Sequence, residues 1–247
     1  MALALAWAPT CTANEAETVK AVLATKPAGA VVRLGDSGRV TGLHMEPAGG
    51  APVGGVVILH PHGSHLNSAG TVRTLRRGLP KSGWHTLSIQ LPRNSGAPRP
   101  WHRRVAARLG LAVKFLRKMG VLNVVVIAHG AAAGAAARYF SGGADASVTG
   151  FVGVSPVYLG PSSRESLGQL SDAWPKKLLE IYGERDLPGV RRQVKKHAEQ
   201  TTSLPDLQWS SIEVGGARHG LKRQANEVLR RVRGWLDRRL SGQEVTS

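Results

Sequence analysis

The sequence predicts an α/β domain in which a mostly parallel sheet carries helices on both faces. Three observations predict it. Short, largely apolar runs occur at Val56–Leu59 (VVIL), Leu122–Ala128 (LNVVVIA) and Val148–Val154 (VTGFVGV). Amphipathic stretches of helical period lie between them, and each run ends in a polar, glycine-bearing turn. A strand buried on both faces reads as a continuous apolar run, and strands alternating with helices favour parallel pairing. A length of 247 residues suffices for one such domain with a large core. The expected division is a flexible apolar start or signal-peptide remnant over 1–15, a single domain over 16–241 and a flexible tail over 242–247.

The elements follow in order. Ala30–Met45 (AVVRLGDSGRVTGLHM) alternates about a Gly-Asp-Ser-Gly turn and reads as a hairpin. A Gly/Pro/Ala loop leads into VVIL, and the run HPHGSH, His60–His65, follows it. Val72–Ser82 is a helix candidate closed by Gly83, and Trp84–Leu91 is the next strand, running into Pro92 and a Pro/Gly-rich loop. Val105, Leu109, Ala112, Val113 and Leu116 fall at helical spacing, with Arg104, Arg108, Lys114, Arg117 and Lys118 mostly opposite. LNVVVIA then precedes His129, Gly130 and an alanine-rich helix. Leu178–Tyr182 and Gln208–Val214 are further strands, separated by a helix near Arg191–Gln200. Ala225–Leu240 is an amphipathic helix with Val228, Leu229, Val232, Trp235 and Leu236 inward.

Composition bounds the function. Lys and Arg number 33 against 16 Asp and Glu, a net +17. Such a field attracts polyanions non-specifically and bears on association and solubility, not on fold. The basic residues are spread over several helices without interleaved aromatics, so no nucleic-acid motif emerges. The single cysteine, Cys11, excludes an internal disulfide and a cysteine-based zinc site. No apolar run reaches membrane-spanning length. The start MALALAWAPTCTANEAE is similar to the later part of a secretory signal without its positive n-region, which favours export to the periplasm or beyond over a cytoplasmic location. Oligomeric state is not legible.

In an open parallel sheet the chemistry collects beyond the carboxyl ends of the strands. There the sequence places His60, His62, Gly63 and His65; His129 and Gly130; Gly183, Glu184 and Asp186; and Gly215, Gly216, His219 and Gly220. An oxyanion loop, an elbow, an acid and a histidine in that order resemble the α/β-hydrolase arrangement. More closely, GVVILHPHGSH, TLRRGLPKSGWHTLSIQLP, VVVIAHGAAAGA, LLEIYGERDLP, GGARHGL and VRGWLDRRL resemble a bacterial family of hydrolase-like domains of unknown function with glycine in the elbow. The resemblance spans Gly55–Leu240. It implies a three-layer α/β-hydrolase-like fold and a nucleophile position occupied by Gly130, which has no Oγ to acylate.

Chemistry remains available to such a chain. Asp186 can hold the imidazole of His219 in one tautomer, leaving the other nitrogen to activate water. Backbone N–H groups near Gly63 and Ala131 can polarise a carbonyl. The preferred reading is therefore a non-serine hydrolase of small carboxylic esters or lactones, with no acyl-enzyme. The alternative is a catalytically silent binding or scaffold protein that uses the cleft or its basic surface for acidic ligands.

No cofactor is required. A divalent metal is an optional variant, because HPHGSH is similar to the H-x-H-x-D-H zinc motif of metallo-β-lactamase-like hydrolases, with Ser64 in the aspartate's place. His60, His62, His65 and His129 are the candidate ligands. G-x-G-x-x-G is absent, against a dinucleotide site. Ser155, followed by Pro156 at a strand end, reads as a turn residue.

Overall fold

The computed structural model describes residues 14–93, 98–143, 145–158, 174–202, 204 and 206–240. The expected export signal, Cys11 and the expected tail lie outside the described residues.

The elements in chain order are α1 (Glu15–Ala24), β1 (Ala30–Leu34), β2 (Val40–Met45), β3 (Gly54–Leu59), α2 (Thr71–Gly78), β4 (Trp84–Ile89), α3 (Pro98–Lys118) and β5 (Val124–His129). Then come α4 (Ala132–Ser141), β6 (Val148–Val154), β7 (Lys177–Arg185), α5 (Pro188–Thr201), β8 (Gln208–Arg218) and α6 (Ala225–Leu240). The strands form one sheet in the order β1-β2-β4-β3-β5-β6-β7-β8. β2 runs antiparallel to both its neighbours, and every pair from β4 through β8 is parallel.

Side-chain alternation divides the core into two layers. Val57 and Leu59 of β3 with Val124, Val126 and Ala128 of β5 pack on the side of α3 and α4. Val56, Ile58, Val125 and Ile127 pack on the side of α2 and α6. Each fully buried Val, Leu or Ile side chain contributes about 1.5–3 kcal/mol relative to exposure. The expected inward residues of α3 are all buried, as are Val228, Val232, Trp235 and Leu236 of α6. Leu229 is partly buried, and its Cδ2 would lie 2.3 Å from a Cβ on Gly78, so glycine at 78 lets Leu229 of α6 sit against α2 in its present rotamer.

Several boundaries differ from expectation. α1 begins at Glu15, inside the segment expected to be flexible. Its cap is Asn14, whose side chain accepts from Glu17 N while the Glu17 carboxylate accepts from Asn14 N, a reciprocal capping box. Val19 and Val22 are buried, and Glu15 pairs with two nitrogens of Arg108 on α3 at 2.6 and 3.1 Å. The stretch expected as one helix to Ser82 becomes α2 and then a 3-10 turn, Leu79–Ser82, at Pro80. β7 and β8 run several residues further than their apolar runs, because strand pairing continues to Arg185 and Arg218. Among the described residues no helix is long and apolar enough to cross a membrane.

This topology positions the site. The chain leaves β3 for β4 on one side and later returns to β5 on the other. The carboxyl ends of β3 and β5 therefore flank the crevice where an open α/β sheet reverses its winding.

Candidate active site

Asp186 lies just past β7, and its side chain is fully buried. Its Oδ1 accepts from His219 Nδ1 at 2.6 Å and from Leu187 N at 2.8 Å. Its Oδ2 accepts from Ser155 Oγ at 2.7 Å and from Gly183 N at 3.1 Å. Burial alone would raise the carboxyl pKa. The hydrogen bonds from His219, Ser155, Gly183 and Leu187 outweigh it and hold the pKa at about 2. An ionised carboxylate in this position orients the imidazole, whose Nδ1–H it fixes. His219 Nε2 has no partner among the described residues, and the side chain is 38% exposed.

Ser155 is more than the turn residue that the sequence suggests. It follows β6 with φ 44°, a left-handed conformation that costs a non-glycine residue about 1–3 kcal/mol. It is fully buried. Its amide bonds Ile181 O at 2.7 Å, and its Oγ, besides donating to Asp186, accepts from Gly220 N at 3.0 Å. One hydroxyl thus joins the acid loop to the histidine loop. That engagement makes Ser155 a positioning residue; the Oγ has no exposure from which to attack a substrate.

Gly130 occupies the turn between β5 and α4 with φ 60°. Its N–H donates to Val154 O at 3.0 Å, and its carbonyl accepts from Ala133 N at 3.1 Å and Val157 N at 3.0 Å. Among the described residues a Cβ at this position would meet only Pro61 Cβ, at 3.8 Å, an ordinary contact. The loop after β3 therefore runs beside the turn. Gly63 has φ 74° within the turn that Ser64 N closes onto Pro61 O at 3.2 Å. The amides of Gly63 and Ala131 have no acceptor among the described residues. Ala131 caps α4, whose N-terminal dipole adds positive potential at the crevice.

The four candidate metal-binding histidines have other roles. His60 is buried; its Nδ1–H donates to Pro61 O at 2.8 Å and its Nε2 accepts from Leu91 N at 3.0 Å. Both nitrogens are consumed in stapling the loop to the end of β4, and burial pushes the pKa down to about 3. His62 meets Trp101 edge-on, with ring centroids 5.6 Å apart, and His65 Nδ1 accepts from Asn67 N at 3.2 Å. His129 is buried beside Gly220, and its Nδ1 has no hydrogen-bond partner among the described residues. Burial, and then the neighbouring His219, lower its pKa to about 4. Among the described residues no group of three or more His, Cys, Asp or Glu is placed to hold a metal ion. The spacing in HPHGSH is met instead by backbone hydrogen bonds and packing.

The sequence model of the family described as "Protein of unknown function (DUF3530)" matches residues 6–107 and 97–238, nearly the whole chain. The chain belongs to this family. No curated protein matches this DUF3530 member by sequence. Solved structures do match its fold. An α/β serine hydrolase homologue from Coxiella burnetii is 19% identical over 86% of this chain and 96% of its own, with a TM-score of 0.61. A lidless α/β serine hydrolase from Xanthomonas campestris is 14% identical over 89% and 96%, with a TM-score of 0.64. A thermophilic esterase from Thermogutta terrifontis, solved with propionate bound, is 12% identical over 88% and 97%, with a TM-score of 0.66. The DUF3530 chain thus has the α/β-hydrolase fold, with its eight-stranded, mostly parallel sheet between helices.

Proposed function

We propose that this protein hydrolyses small carboxylic esters or lactones without a serine nucleophile, with Gly130 standing where serine hydrolases of this fold carry their nucleophile. The observation that carries the reading is the support built around His219. A loop staple would need one hydrogen bond, yet Asp186 collects four donors and a strained Ser155 is retained to supply one of them. The Nε2 of His219, without a partner among the described residues, is the group that this support aims.

In the proposed reaction a water lies in the space over Gly130. His219 Nε2 takes one of its protons as the water oxygen bonds to the carbonyl carbon. The developing oxyanion accepts from the Gly63 and Ala131 N–H groups, at the positive end of α4. As the tetrahedral intermediate collapses, the C–O bond to the leaving alcohol breaks and His219 returns the proton to that oxygen. Asp186 stays ionised throughout, stabilising the imidazolium through Nδ1–H. The serine hydrolase and esterase neighbours support an acyl-group substrate, and the propionate-bound esterase points to short acyl chains.

The test is turnover of short-chain p-nitrophenyl esters and lactones by the wild type, His219→Ala and Asp186→Asn, each confirmed folded by circular dichroism. Losing the general base should lower the rate about 10²–10⁴-fold. Full activity in His219→Ala, or no turnover above buffer across the panel, would overturn the hydrolase reading; the latter would leave a silent binding fold.

A further inference from the structure

We propose that the same site transfers acyl groups to a primary alcohol, whose terminal CH2–OH takes the space over Gly130. The inference rests on the hydrolase reading and identifies a second acceptor for it. At Gly130 the backbone is held at φ 60° by three hydrogen bonds, and where a side chain would begin, only Pro61 Cβ lies within 4 Å among the described residues. What glycine leaves out, relative to serine, is one methylene and one hydroxyl. A primary alcohol ends in those two heavy atoms.

Water fills this space with an oxygen alone. An alcohol can place its hydroxyl toward His219 and its methylene against Pro61, the contact that a Cβ would make. Desolvating a methylene favours the alcohol over water by about fourfold per buried CH2. Positioning of the hydroxyl next to the base adds an effective-concentration advantage. The remainder of the alcohol leads outward past the exposed edge of His219, which is 38% exposed.

The step balances without a further reactant. The alcohol oxygen bonds to the acyl carbon as its proton passes to His219 Nε2. The bond from acyl carbon to leaving oxygen then breaks, and that oxygen takes the proton. One ester and one alcohol become another ester and another alcohol, with no covalent enzyme intermediate.

The experiment offers p-nitrophenyl propionate together with 1-propanol to the full-length protein and measures propyl propionate and propionate by gas chromatography. The expected ester-to-acid ratio exceeds the uncatalysed ratio in the same mixture by at least about tenfold. Gly130→Ala, which sets a methyl where the alcohol's methylene would lie, should lower that ratio about tenfold, with circular dichroism showing the variant folded. A wild-type ratio equal to the uncatalysed one, with hydrolysis still dependent on His219, would overturn the transfer and leave the hydrolase reading standing. A ratio unaltered in Gly130→Ala would place the alcohol elsewhere and overturn it too. If His219→Ala keeps both rates, transfer and hydrolase readings fall together.

Discussion

Gly130→Ser asks directly whether residue 130 is a nucleophile position. The backbone already has the left-handed conformation of a nucleophile turn, φ 60°, and the new Cβ meets only Pro61 Cβ at 3.8 Å. No atom of the described residues has to move to admit it. The cost is therefore conformational, about 1–2 kcal/mol for an L-residue in the left-handed region, and corresponds to a Tm lower by roughly 2–8 °C for a domain of this size. With His219 fixed by Asp186, the introduced Oγ should become reactive. The assay is intact mass after diisopropyl fluorophosphate: one adduct per Gly130→Ser chain, none on the wild type, and none on Gly130→Ser/His219→Ala. A folded Gly130→Ser chain that stays unlabelled would refute the assignment of this turn. A Tm fall far beyond the stated range would refute its steric basis.

Other consequences follow from the buried titratable groups. His60 and His129 are neutral in the fold, with pKa values of about 3 and 4 against 6.5 when unfolded, so the unfolded chain binds more protons and stability rises with pH. Their contribution is complete above about pH 6.5 and declines as the pH falls; between pH 7 and 5 each loses about 2 kcal/mol, about 4 in all. Urea unfolding at the two pH values measures it, and an unchanged stability would contradict the neutral, buried state of both rings. Asp186 acts lower on the scale: its depressed pKa stabilises the fold above about pH 4 by about 2 kcal/mol, lost as the pH falls through about 2. Ser155→Ala removes a donor from Asp186 and the acceptor of Gly220 N–H, and should cost about 1–3 kcal/mol in urea unfolding together with part of any His219-dependent turnover. A variant of wild-type stability and rate would make Ser155 an incidental turn.

Much of the fold was legible because it rests on local pattern. VVIL and LNVVVIA are buried on both faces and read as central strands, and the order of polar turns along the chain puts Asp186 and His219 at the same edge of the sheet. What depends on distant backbone was not legible. Ser155 matters through its left-handed φ and its bond to Gly220, 65 residues away, neither of which a Ser-Pro pair announces. His60 resembled a ligand because its true partner, Leu91 N, lies 31 residues off and is a main-chain group. α1 did leave a signal, the N-x-x-E spacing of Asn14 and Glu17 ahead of Val19 and Val22, obscured by the apolar stretch before it.

The account turns on a base that works without a serine, and stopped-flow hydrolysis of a p-nitrophenyl ester tests this most directly. It predicts product release that is linear from the first turnover in the wild type and lost in His219→Ala. A burst of p-nitrophenol equal to the enzyme concentration would reveal an acyl-enzyme, and with a rate indifferent to His219 would contradict the account outright.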